Sequence, residues 1–151
     1  MPDEKVIEEI EEECQQIDKL FEEFGTLLDK IKDRDPDFIE IASLAMMLHS
    51  FYNGLENIFG RIAKRIDKTV PDGRDWHNEL LTQMSKPTPK RKYAVLSEGM
   101  RDELKEYLGF RHFTRHAYPM DLDWDLMKDL VLRSDDVKER ALIEINAFLK
   151  K

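Results

Sequence analysis

The chain has 151 residues and one cysteine, and its 32 acidic against 24 basic side chains give a formal net charge of −8. A length near 150 residues fits one domain with a sizeable core. The charged fraction of 37%, with only six Gly and six Pro to interrupt helices, predicts an all-α protein. The longest nearly apolar run, Ile41 to Leu48, is far short of the roughly 18 to 20 residues that cross a bilayer. The acidic N-terminus also lacks a secretory leader's basic start, so the expectation is a soluble, cytoplasmic chain with no membrane partner. A lone Cys14 excludes an internal disulfide and a cysteine-rich zinc site.

The negative charge is unevenly placed. Residues 1 to 40 carry 15 acids and 5 bases, whereas residues 41 to 151 carry 17 acids and 19 bases. A polyanionic partner therefore stays open for the larger part of the chain.

Ile7, Ile10, Cys14, Ile17, Phe21, Phe24, Leu28 and Ile31 follow at alternating steps of three and four, the seam of a long helix over about 4 to 33. Its acids, among them Glu8, Glu9, Glu11, Glu12 and Glu13, fall mostly on the other face as a solvated side or an acidic docking surface. Asp35-Pro36 reads as the next helix start, and Leu44, Leu48, Phe51, Leu55, Ile58 and Ile62 carry that helix to about residue 67. Thr69 to Gly73 closes it, and two long helices joined by so few residues should lie antiparallel. A short helix is expected over 75 to 85. The stretch Lys86-Pro-Thr-Pro-Lys-Arg-Lys92 reads as a basic loop, held out of helix by its prolines.

Ser97 caps a further helix through about residue 117, which Pro119 stops. Asp121 or Asp123 caps a final helical region over 123 to 149, with a kink expected near Ser134-Asp-Asp136. These segments make one antiparallel bundle of four to five helices spanning 1 to 151.

Chemistry concentrates in Phe110 to Tyr118, a stretch with two Arg, two His, a Thr and a Tyr and no acid. Arg111 and Arg115 are one helical turn apart, as are His112 and His116, but Arg111 and His116 stand five residues apart. On an ideal helix that separation is about 140°. The two serve one small site only if the helix end bends or a second protomer completes it.

These residue types suit cleavage of an RNA phosphodiester. A neutral imidazole takes the 2′-hydroxyl proton, a protonated one serves the leaving 5′-oxygen, and a guanidinium holds the charged phosphorus centre. No metal or cofactor is needed for that chemistry. The competing reading has Arg111 and Arg115 paired with Asp121 or Asp125, and His112 and His116 as partners of the helix C-terminus. His112 and His116 also have helical metal-ligand spacing, but no strong third ligand lies near them in sequence.

Elsewhere, His49, Asn53 and Glu56 form a polar strip along the second long helix, with Glu56 a candidate to orient Arg111 and the whole strip equally readable as solvated. His77 beside Trp76 reads as cleft lining or as packing with a satisfied imidazole. Lys90, Arg91 and Lys92, together with Arg115, are candidates to neutralise RNA phosphates.

Arg111-x4-His116-Ala117-Tyr118, with His112 following the Arg, resembles the Arg-x4-6-His signature of the HEPN superfamily, and its His-x-Tyr extension resembles HepT-like ribonuclease toxins. His49-Ser-Phe-Tyr-Asn-Gly-Leu-Glu-Asn-Ile58 is similar to the second helix of that family. Trp76-His-Asn-Glu-Leu-Leu81 with Phe110-Arg-His112 resembles one subgroup, and the likeness covers about residues 36 to 149. The resemblance implies a homodimer whose paired motifs face a shared cleft. It implies Arg111 and His116 as the catalytic pair, His112 as the polar helper, and Tyr118 as the residue that a nucleotidyltransferase antitoxin adenylylates. Two other functions compete with this: a catalytically silent HEPN module that docks a nucleotidyltransferase or nucleotide, and a purely structural helical dimer.

Overall fold

The computed structural model describes residues 2–151, and within them the chain forms six α-helices. These are α1 (Glu4–Glu23), α2 (Gly25–Lys30), α3 (Phe38–Ile62), α4 (Trp76–Met84), α5 (Glu98–Thr114) and α6 (Trp124–Leu149). A π turn, Ala63–Asp67, extends α3, and a single 3-10 turn, Pro119–Asp121, separates α5 from α6. The all-α bundle is built around α3, the helix that packs on α1, α4, α5 and α6. Among the described residues no helix is long and apolar enough to cross a membrane.

The heptad-like spacing of α1 places Val6, Ile10, Cys14, Ile17 and Phe21 in the core. Burying each large apolar side chain among them contributes roughly 1.5–3 kcal/mol. Ile17 lies over Gly54 of α3 so closely that a Cβ there would come within 2.9 Å of the Ile17 Cγ1. Glycine is what lets the two helices approach at this level. Farther along, Glu13 accepts from Asn57 and Arg61, and Glu9 accepts from Arg65. Residue numbers fall on α1 as they rise on α3, so the pair is antiparallel. Part of the acidic strip of α1 thus faces bases of α3 instead of water.

Burial and the surrounding Asp18, Glu11 and Glu13 push the Cys14 thiol up to about 11. It is therefore an inert core residue at neutral pH.

The structure departs from the sequence expectations at four places. The first helix does not run to residue 33: it ends at Glu23, and α2 begins after Phe24, whose partly buried ring packs on the core. The cap of α3 is Asp37, not Asp35. Its side chain accepts from the Glu40 amide while Glu40 accepts from the Asp37 amide, a reciprocal capping box. Arg34 closes the same corner on Glu40, whose carboxyl the guanidinium and the Asp37 amide hold down at about 2. No new helix starts at Ser134-Asp-Asp136: α6 runs unbroken through it, with the buried Ser134 hydroxyl donating to the Val131 carbonyl and Asp136 serving Arg140 on the outer face.

The fourth departure is in the 86–92 loop. Arg91 is not a surface cation: its side chain is 2% exposed and lies against Asp67 of the π turn, with Nε 2.8 Å from one carboxylate oxygen and Nη2 3.0 Å from the other. Its remaining donors go to the Lys86, Tyr93 and Gln83 carbonyls. Asp67 also accepts from Gln83 and Thr88. Arg91 therefore has no free donor for a phosphate, whereas Lys90 and Lys92 are exposed.

A buried pair that loses one partner strands the other charge, at a cost of about 3–5 kcal/mol. Urea denaturation should accordingly show Arg91→Ala destabilised by about that amount, with Lys92→Ala within about 0.5 kcal/mol of the parent.

Candidate functional site

Three helices converge on one carboxylate. Glu56, two turns before the end of α3, is only 8% exposed, and a charge so far from water needs partners. Arg111, in the last turn of α5, donates from Nη1 to its Oε1 at 2.8 Å. His77, the second residue of α4, places Nδ1 2.7 Å from its Oε2. Because an ionised carboxylate only accepts, Nδ1 of His77 carries the hydrogen in this contact, and Nε2 is the ring nitrogen it leaves unused. The Arg111 Nη1 stands 3.4 Å from that same Nδ1.

Aromatic contacts fix the imidazole plane. Trp76 stacks on His77 with centroids 3.6 Å apart and an interplanar angle of 29°. His112 meets it edge-on at 5.3 Å and 79°. Packing and a satisfied Nδ1, the bland reading of His77, thus coexist with a place beside Arg111. Tyr52 stands one turn before Glu56 on α3, and burial raises its hydroxyl, with Glu56 adding and Arg111 opposing. The Tyr52 hydroxyl and the Arg111 Nε are buried without a hydrogen-bond partner. An unsatisfied buried donor costs roughly 1–3 kcal/mol.

The other half of the sequence motif lies outside this cluster. Helix α5 ends at Thr114, whose hydroxyl donates to the Arg111 carbonyl, and Arg115 and His116 form an exposed turn. Among the described residues no hydrogen bond joins His116 to Arg111 or Glu56. Tyr118 follows, 70% exposed, with its amide donating to Asp121 in the 3-10 turn. Arg111 pairs with Glu56, so neither Asp121 nor Asp125 completes it. Tyr118 and Arg115 line a groove of about 410 Å³ against Met46 and His49 of α3, with Leu122 at its far side.

Two imidazoles near Arg111 are biased towards neutrality. The pKa of His112 is lowered by burial, then by His77, Arg111 and Arg115, with Glu56 pulling the other way. Burial and Arg111 lower that of His49. Asn53 is exposed on α3 and joins none of these contacts, and Lys90 and Lys92 border a separate hollow beside Phe148 and Lys151. Among the described residues no group of three or more His, Cys, Asp and Glu gathers as a candidate metal site. Sequence reading missed Tyr52 in this cluster; its only local signal is the one-turn spacing to Glu56.

A histidine whose folded pKa lies below its unfolded value stabilises the fold fully above the unfolded pKa, and that contribution is lost as pH falls through the folded one. Acidification from pH 7 to below 6 should therefore lower the denaturation midpoint, and His112→Gln should make that decline shallower.

A family model described as HepT-like protein matches residues 43–151, a span that contains Glu56, His77, Arg111, His112, His116 and Tyr118. No curated protein and no solved structure matches the chain. With that match over most of its length, and with an all-α bundle bearing the matched segment, the chain belongs to a HepT-like family of the HEPN superfamily.

Proposed function

We propose that the chain is a metal-independent endoribonuclease, the toxin of a toxin–antitoxin pair, which acts as a homodimer and is neutralised by adenylylation of Tyr118 by a nucleotidyltransferase partner. The observation that carries this reading is the anchored Arg111 at the end of α5 with His116 free in the turn beyond it, in a chain of the HepT-like family.

RNA cleavage of this kind is an in-line displacement. The 2′-oxygen loses its proton and attacks phosphorus, the P–O5′ bond breaks, and the 5′-oxygen gains a proton. Products are a 2′,3′-cyclic phosphate and a 5′-hydroxyl, with no oxidant or reductant involved. Arg111, held at Nη1 by Glu56 and with Nε buried, offers its Nη2 to the phosphate oxygens, where charge is greatest in the transition state. His116 protonates the leaving 5′-oxygen. His112, biased towards neutrality beside Arg111, is the polar helper. Arg115, Lys90 and Lys92 are exposed and serve by neutralising RNA backbone, and Arg91 drops out of that set.

Pairing of two protomers is supported by exposed apolar residues on the two stretches that flank the groove. Phe38, Ile39 and Met46 belong to α3, and Phe113, Tyr118 and Met120 to the end of α5 and the turn after it. Met46 and Tyr118 both line the groove, so exposed apolar side chains are available there to a second copy. The same pairing brings a second His116 to the cleft and so answers the separation of Arg111 from His116 within one chain.

A silent binding module draws on one observation, the neutralisation of Arg111 by Glu56. Cleavage of a mixed RNA pool in the presence of EDTA separates the two readings. The ribonuclease reading expects the unmodified chain to cut and His116→Ala to be slower by about 10²–10⁴-fold, with an unchanged circular dichroism spectrum. No cutting by the folded, unmodified parent would favour the binding module.

Tyr118, 70% exposed and bordering the groove, should gain the mass of one or more adenylyl groups on incubation with the partner nucleotidyltransferase and ATP. Tyr118→Phe should gain none; equal modification of that variant would remove Tyr118 from the reading.

A further inference from the structure

The displacement needs two proton transfers, and the HepT-like motif supplies His116 for one of them. From the geometry around Glu56 we infer that His77 is a further catalytic residue: its Nε2 takes the 2′-hydroxyl proton, and Glu56 is the positioning residue that holds its Nδ1–H. This inference rests on the ribonuclease reading and adds to it an acid–base role for a helix outside the Arg-x4-His segment.

Among the described residues, His77 is the one histidine hydrogen-bonded to a carboxylate. That bond sets the tautomer in which Nε2 is the basic nitrogen, as a general base requires. The ring cannot rotate away, because Trp76 covers one face and the His112 edge abuts it. Arg111 shares the Glu56 carboxylate and stands 3.4 Å from His77 Nδ1, so the guanidinium that would hold a phosphate and this imidazole are immediate neighbours. The charged and titratable groups that face His77 are Glu56 from α3 and Arg111 and His112 from α5. The His77 side chain keeps 12% of its surface exposed, and a groove of about 440 Å³ along the end of α3 borders its neighbours Glu56 and Trp76 without being lined by His77 or Arg111.

The proton balance closes within the site. Neutral His77 leaves the step as imidazolium, protonated His116 leaves it neutral, and exchange with water resets both. His77 therefore controls the acidic limb of the rate profile, since protonation of Nε2 before the reaction removes the base.

The test is cleavage by the full chain from pH 5 to pH 9 with EDTA, comparing the parent with His77→Asn and Glu56→Gln. An Asn amide can donate to Glu56 from the place of Nδ1 yet has nothing at the place of Nε2. His77→Asn should lower kcat by about 10²–10⁴-fold with KM within about threefold, and the acidic limb of kcat/KM should vanish. Glu56→Gln should be slower and keep that limb, displaced to lower pH, because the imidazolium loses its neighbouring negative charge.

A His77→Asn rate within threefold of the parent, or a slow variant that retains the acidic limb, overturns the inference while the ribonuclease reading stands. Absence of cleavage by the parent overturns both. Should His77→Asn fail to fold, Glu56→Gln decides: a displaced limb supports His77 as the base and an undisplaced one overturns it.

Discussion

A carboxylate taken out of water must be compensated, and Glu56 is where that requirement shapes this molecule most. Moving a carboxylate into a protein interior costs several kcal/mol even after relaxation, so its two oxygens need strong donors. Arg111 comes from α5 and His77 from α4, and each takes one oxygen. Three helices that are separate in sequence are thereby locked at one point, and the orientation of both donors follows from it. Charge-assisted hydrogen bonds of this kind are shorter and stronger than neutral ones, and they also fix direction. Arg111 is thereby held at one nitrogen by the protein's own carboxylate.

Helix α3 can play this part because of how the rest of the bundle treats it. Its apolar residues Leu44, Leu48, Phe51, Leu55, Ile58 and Ile62 are buried by neighbours on several sides. Phe51 meets Phe21 edge-on at 5.3 Å and Tyr107 at 5.6 Å, so α1 and α5 register against the same ring. The Tyr107 hydroxyl then donates to the Leu130 carbonyl, carrying the register on to α6. Helices α5 and α6 are further tied by Arg133 to Glu106, Arg140 to Glu103, and Glu144 to the Ser97 cap. Those outer ion pairs are exposed and contribute little each. Position at the site is set by the aromatic contacts and the buried carboxylate.

The sequence announced the helices well because helical periodicity and caps are local signals. Ser97 and Asp123 cap where the side-chain chemistry says they should. Asp37 with Glu40 also spelled a capping box, but the adjacent Asp35-Pro36 offered a rival start and drew the boundary two residues early. The break at Phe24 is set by how one ring packs on the core, and nothing in a three–four pattern reports that. The expected break at Ser134 is absent for a related reason, since the Ser134 hydroxyl bonds within its own helix instead of capping a new one, and the sequence alone does not show which. At the site, Arg111, His112, His116 and Tyr118 stood out as an acid-free cluster, whereas the groups that orient Arg111 are far off along the chain. Glu56 and His77 are 21 positions apart, and Arg91 lies 24 from Asp67. Spacing does not report pairs of that separation, although the polar strip on α3 had marked Glu56 as a candidate to orient Arg111, which the contact bears out; for Arg91 the local reading, a basic loop, pointed the opposite way from the buried fact.

That loop has a consequence for how the protein would be cut. With four basic residues in seven, 86–92 looks like the most vulnerable stretch of the chain to a trypsin-like protease. Lys86 is followed by a proline, and such enzymes cleave the Lys–Pro bond poorly, while Arg91 is sealed beneath three backbone carbonyls and an aspartate. Proteolysis at Arg91 must wait for the Asp67 tie to open. Cleavage there would report the opening of the π turn with the loop as one cooperative unit, while nicking at Lys90 or Lys92 needs only the local fraying of an exposed bend.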